Sequence, residues 1–273
     1  MSFLNLYQTE DGIIWLISNY ILYSYDSENN NIIPFPITLS YKNSMFEDSS
    51  GIIWIGTSSK GVFSFDRVKK KFTLYNHNPD DIFSIGGNLV QCVYEDRSGN
   101  LWVGARLTGI NKWNKYKWKF NSVEYDPKGN SALLNNDIYS IYEDENHQLW
   151  LGTNSRITVL DSESFLLKNR HNKFNALKRL EKEQISCIIG DPANKNIIWI
   201  STLDAGLFKY DTKRGLIQQF KCVLKDSLTL SDSLVTSLAH LGENYLFIGT
   251  FSGLDLLNKK TNKLTKFKRK IDD

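Results

Sequence analysis

The residues of this chain best suited to proton transfer are three acidic pairs, Glu47-Asp48, Glu95-Asp96 and Glu143-Asp144. Two carboxylates in one cavity can split their pKa values and work as acid and base. The pairs recur at steps of 48 residues, 95 − 47 and 143 − 95. Carboxylates that appear once per structural unit are held apart from one another, so they read as turn acids and no catalytic residue is assigned. The imidazoles available to a metal are His77, His147, His171 and His240. They share none of the short spacings that gather zinc ligands, and no metal or other cofactor is expected.

The elements that must carry these acids are set by a tryptophan phrase. It reads IIWLIS around Trp15, IIWIGT around Trp54, LWVGAR around Trp102, LWLGTN around Trp150 and IIWIST around Trp199, with Phe247 at the sixth position in LFIGTF. The steps are 39 (54 − 15), 48 (102 − 54), 48 (150 − 102), 49 (199 − 150) and 48 (247 − 199). One supersecondary unit used six times is implied. In the third copy, strands are predicted over residues 88–95, 100–105, 110–114 and 118–125, with Asp96-Arg97-Ser98-Gly99 and Thr108-Gly109 as turns. Four short antiparallel strands make one propeller blade. The expected fold is all-β, a β-propeller of six four-stranded antiparallel blades over residues 1–41, 42–87, 88–135, 136–182, 183–232 and 233–273. The array is expected to be one domain, either a six-bladed ring or an incomplete part of a seven-bladed propeller.

Within each copy the tryptophan is expected to pack against the neighbouring blade. The glycine two residues later shares its face and lets the next sheet come close. An aspartate or asparagine ends the third strand at Asp26, Asp66, Asn114, Asp161, Asp211 and Asn258, where its side chain can cap the following turn.

The formal charge of +3 is small for 273 residues and argues against a dedicated nucleic-acid binder. Basic clusters at residues 67–71, 112–119 and 266–270 fall in or beside turns and outer strands, where lysine keeps an edge soluble. No run of about 18 apolar residues is present, so no membrane insertion is expected. The opening MSFLNLYQTEDG has neither the basic nor the apolar region of a signal peptide. Cys92, Cys187 and Cys222 are expected to be three buried free thiols, since Cys92 and Cys187 occupy equivalent positions two repeats apart.

The segment from Glu47-Asp48-Ser49-Ser50-Gly51 through Trp54-Ile55-Gly56-Thr57 to Asp66 closely resembles the two-component regulator propeller repeat. The third copy departs from it at Ala105, and the fourth lacks both glycines, having Gln148 and Arg156. The resemblance implies a periplasmic sensor region of a hybrid two-component regulator, followed in such proteins by a membrane helix, histidine kinase, receiver and DNA-binding domain. It implies an oligosaccharide as input, and seven blades where six are encoded here. Binding is then expected in the turns between second and third strands, which vary while the scaffold repeats. Arg106, Asn154, Arg156, Asp204 and Lys60 offer donors and acceptors, and Tyr20 and Phe251 could stack on a ring. A protein-interaction platform, as a homodimer or beside a neighbouring propeller, is the alternative. A propeller lyase would need a central histidine and metal-binding acids that the pattern does not supply.

Overall fold

Strand ends follow the turn chemistry of each repeat. The computed structural model describes residues 3–9, 11–18, 21–26, 29–37, 43–114, 119–124, 133, 135–162, 164, 172–223, 226 and 228–267. Blade 1 comprises Phe3–Gln8, Ile14–Ser18, Ile21–Asp26 and Asn31–Phe35; blade 2 comprises Asn43–Glu47, Ile52–Thr57, Val62–Asp66 and Lys71–Tyr75. Blade 3 comprises Val90–Glu95, Leu101–Ala105, Ile110–Asn114 and Lys119–Val123. Among the described residues blade 4 has three strands, Ile138–Glu143, Gln148–Thr153 and Ile157–Asp161. Blade 5 comprises Ile185–Asp191, Asn194–Thr202, Leu207–Asp211 and Leu216–Phe220; blade 6 comprises Val235–Leu241, Tyr245–Thr250, Gly253–Asn258 and Lys263–Phe267. Each sheet keeps its strands in chain order and each described pairing is antiparallel. These are the six blades of the expected β-propeller.

The details differ where side chains are used elsewhere. The first strand of blade 3 begins at Val90, not at residue 88, because Asn88 belongs to the connection: its Oδ1 accepts the His77 amide at 2.7 Å and its carbonyl accepts the Gly61 amide at 2.9 Å. Trp118 and Tyr125, the expected ends of the fourth strand, lie outside the described residues. An unforeseen 3₁₀ helix spans Asn172–Leu180. Its Leu177 and Leu180, three apart, share one side of a three-residue turn and are buried.

The chain divides into two compact units, Met1–Pro127 with Asn136–Ile138, and Lys128–Asn135 with Tyr139–Asp273. In the first, Trp15 packs with Ile53, Ile55 and Phe65, and Trp54 packs with Val90, Val93 and Trp113. In the second, Trp150 packs with Ile185, Ile188 and Tyr210, and Trp199 with Val235, Leu246 and Ile248. Each of these tryptophans therefore fills the seam with the following blade. A methyl on Gly56 would stand 2.5 Å from Val90 Cγ1, and one on Gly152 would stand 2.7 Å from Ile185 Cγ2. The glycine two residues after the tryptophan thus lets the next first strand close the seam. In blade 5 Ser201 takes this place, and Ser186 both pairs with it at 2.7 Å and donates to the Val235 carbonyl of blade 6 at 2.6 Å.

The third-strand caps form as expected wherever their side chains are described. Asp66 Oδ1 accepts the amides of Val68 and Lys69 at 3.1 and 3.0 Å. Asp211 does so for Lys213 and Arg214, and Asn258 for Lys260 and Thr261. The three cysteines are free, but each is half-buried and not fully enclosed.

Candidate functional site

The repeated acids bind tryptophan. Asp48 Oδ2 accepts Trp54 Nε1–H at 2.7 Å, Asp96 accepts Trp102 at 2.7 Å, Asp144 accepts Trp150 at 2.9 Å and Asp191 accepts Trp199 at 2.8 Å. The other carboxylate oxygen holds the turn: Asp96 Oδ1 accepts the amides of Ser98 and Asn100 at 2.9 and 2.8 Å. Gly99 closes this turn at φ 74°, a conformation that suits glycine. The glutamate before the aspartate can reach across a seam, since Glu95 accepts Ser49 N and Oγ from blade 2 at 2.6 and 2.8 Å. Glu143 instead meets His147 Nδ1 at 3.0 Å. Carboxylates filled with such partners are parts of turns, as their recurrence implied.

Two blades break the pairing. In blade 1 the position six before Trp15 is Thr9, and Trp15 Nε1 is buried with no hydrogen-bond partner among the described residues. In blade 6 Phe247 needs no acceptor, and Leu241 stands six residues before it. Cations add to this end of the seams. Arg67 reaches Asp11 at 2.9 Å and Glu47 at 3.2 Å, and the buried Lys259 reaches Asp191 at 2.8 Å. Burial pushes the Asp191 carboxyl up, but the bonds from Lys259 and Trp199 outweigh it and hold the group below its ordinary value. Beside this pair, His240 Nε2 lies 2.7 Å from the Gly190 carbonyl, and burial lowers the imidazole's pKa.

The turns at the other end of the second strand carry the expected binding residues. Thr57 Oγ1 donates to the Gly61 carbonyl and accepts the Lys60 amide, both at 2.9 Å, and Thr153 and Thr202 repeat this clasp. Lys60 is half-buried. Arg106 is exposed on a turn tied back by its amide to the Leu89 carbonyl at 2.8 Å. Asn154 and Arg156 share one turn; Asn154 Oδ1 accepts Asn135 Nδ2 at 2.7 Å, and Arg156 Nε is buried with no partner among the described residues. Asp204 is exposed, and Phe251 is 79% exposed. Tyr20 lies outside the described residues. Lys60, Arg106, Asp204 and Phe251 each stand in the turn of a separate blade.

Two hollows among the described residues of the first unit lie elsewhere. One of about 500 Å3 occupies the seam between blades 2 and 3, floored by Trp54, Tyr75 and Trp113, with Ser64, Thr73 and Lys71 on its wall. A second, of about 570 Å3, is bounded by Tyr7, Asp11, Glu47, Arg67 and Glu95. The residue opposite each tryptophan in the ladder distinguishes these seams, and no feature of the sequence singled it out without the register. Among the described residues no three His, Cys, Asp or Glu side chains converge as a metal site. His171 lies outside them.

Residues 37–59, 84–106 and 132–155 match the Two component regulator propeller family. No curated protein matches the chain significantly in sequence. Among solved structures, the chain is similar to the extracellular domain of BT3049, described as a hybrid two component system of B. thetaiotaomicron. The identity is 20% and the TM-score 0.76, over 98% of this chain and 35% of that one. It is also similar to the extracellular domain of BT4673 from B. thetaiotaomicron, described as a one component system. Here the identity is 18% and the TM-score 0.66, over 98% and 43% of the two chains. A chain of a mitotic checkpoint complex is 14% identical with a TM-score of 0.68, over 96% and 75%. At such identities the likeness is one of fold. The chain thus spans well under half the length of both extracellular domains.

Proposed function

We propose that this chain is a non-catalytic, ligand-sensing propeller, the extracytoplasmic sensor part of a hybrid two-component regulator or a portion of it. The observation that carries this reading is the match of three separate blades to the two-component regulator propeller repeat. The likeness of its fold to two extracellular domains supports the location outside the cytoplasm. No helix among the described residues is long and apolar enough to cross a membrane. The recurring acids, which are the strongest argument for an enzyme, hold indoles and turn amides instead.

The input we assign is an oligosaccharide, taken up on the turns between second and third strands. Arg106 in the first unit, and Asn154, Arg156 and Asp204 in the second, supply donors and acceptors for hydroxyl or carboxylate groups. Thermal shift against a panel of neutral and anionic oligosaccharides tests this, followed by calorimetry of any ligand found. Binding weakened by Arg106→Ala or by Arg156→Ala supports the assignment. A confirmed saccharide bound equally by wild type and both variants removes it.

A second reading, a protein-interaction platform, is favoured by blade 6. Its Phe247, Gly249, Leu254 and Phe267 share one face by register, and Leu254 and Phe267 are 39% and 49% exposed. Blades 2 and 4 cover the corresponding face with the next first strand. Light scattering across concentrations tests it: association into dimers supports a docking face for a second copy, and a monomer at every concentration counts against it.

A further inference from the structure

Two blades place a lysine over their tryptophan. Lys112 Nζ lies 4.9 Å from the Trp102 ring centroid, and Lys209 Nζ lies 5.5 Å from that of Trp199. Both lysines stand directly opposite the tryptophan in the antiparallel ladder, Trp102 with Lys112 and Trp199 with Lys209. The indole face attracts cations through its quadrupole, and the aspartate bonded to each Nε1–H adds negative potential to the same ring.

Blade 2 has the tryptophan and its aspartate but not the lysine. The residue opposite Trp54 is Ser64, and the one beyond it is Thr73. Among the described residues no lysine or arginine lies over Trp54, and the hollow of about 500 Å3 opens there instead. Tyr75 and Trp113 complete an aromatic floor, with ring centroids 5.6 and 6.2 Å from Trp54. Asp48, Asp66 and Glu95 border the hollow, against Lys69 and Lys71. Lys69 is itself held by Asp66 at 3.0 Å.

We propose that the seam between blades 2 and 3 is a binding pocket for a primary ammonium carried on a small carbon skeleton, which takes the place filled by lysine in blades 3 and 5. An amino sugar and a lysine-type side chain share this chemistry. The hydroxyls of Ser64 and Thr73 and the carboxylate of Asp66 are the polar partners around the ammonium, and the rings contact its carbon skeleton. Neither Lys60 nor Arg106 borders this pocket, so the inference stands apart from the assignment of the turns.

Calorimetric titration of the intact chain with four probes tests it: D-glucosamine, N-acetyl-D-glucosamine, Nα-acetyl-lysine amide and Nα,Nε-diacetyl-lysine amide. At least one ammonium probe is expected to bind about tenfold or more tightly than its acetylated counterpart. Which of the two does so identifies the source of the ammonium. Ser64→Lys, which copies the residue of blades 3 and 5, is expected to keep the fold and lose that binding by a similar factor. Should it fail to fold, Thr73→Lys provides the same plug one strand further out. The proposal is overturned if neither ammonium probe binds, if the acetylated probe binds as well, or if the plugged variant binds unchanged.

Discussion

Removing the Asp96 carboxylate separates a tryptophan that needs an acceptor from one that does not. Trp102 is fully buried, so its Nε1–H has no recourse to water once Asp96 is gone. Orphaning such a donor costs about 1–3 kcal/mol. Asp96→Ala also frees the turn amides of Ser98 and Asn100, which lie near solvent, at about 0.5–1.5 kcal/mol each. The expected loss is about 4 kcal/mol. In a Trp102→Phe background there is no indole N–H to orphan, so the same substitution should cost only the turn amides, about 2 kcal/mol. The coupling between the two positions is then about 2 kcal/mol. Blade 6 provides the precedent, with Phe247 at the tryptophan position and Leu241 at the acid's. Urea unfolding of wild type, both single variants and the double variant, followed by far-UV circular dichroism, measures the cycle. If Asp96→Ala costs the same in both backgrounds to within about 0.5 kcal/mol, the indole bond is not what the acid is for.

Blade 1 offers the converse test. Trp15 Nε1 already lacks an acceptor among the described residues, so Trp15→Phe breaks no indole bond and should cost about 1 kcal/mol less than Trp102→Phe in the same urea assay. Acid should act on the second unit in two stages. The lowered pKa of His240 favours its neutral form in the fold, so its contribution is complete above 6.5 and is lost as pH falls through the lowered value. Asp191, also lowered, contributes above 3.8 and is lost at still lower pH. Melting temperatures recorded downward from neutral pH should therefore fall first through the histidine, and His240→Gln should remove that first stage while leaving the second.

The parts legible in the sequence are those fixed within one repeat. The strand-ending caps at Asp66 and Asp211 depend on neighbours a few residues away, and the glycines Gly56 and Gly152 are marked by their fixed place two residues after the tryptophan, although the strands they admit belong to the next blade. The aspartate–tryptophan bond had a signal too, a constant six-residue spacing in 54 − 48, 102 − 96 and 150 − 144. In blade 5 the longer turn stretches it to eight, 199 − 191, which hides the equivalence. Another unread signal is an apolar residue nineteen before each glycine, Ile85 (104 − 19), Leu133 (152 − 19) and Leu230 (249 − 19), each fully or almost fully buried in the connection into its blade. The 3₁₀ helix and the hollow over Trp54 were not legible. The helix lies in a polar segment whose large apolar residues, Phe174, Leu177 and Leu180, are only three and recur every third position, too short a run to mark an element. The hollow depends on which residue stands opposite Trp54, which only the strand register reveals.

The six-residue clasp from aspartate to tryptophan also bears on the order of folding. Closing it involves a single hairpin, whereas the bond from Ser49 to Glu95 joins residues 46 apart. By loop length alone the longer closure costs about 1.8 kcal/mol more, from (3/2)RT ln(46/6). Each hairpin can therefore set its tryptophan before a neighbouring sheet arrives, so blades form first and seams zip afterwards. Weakening Asp96 should then slow folding itself, while enlarging Gly56 should mainly hasten unfolding.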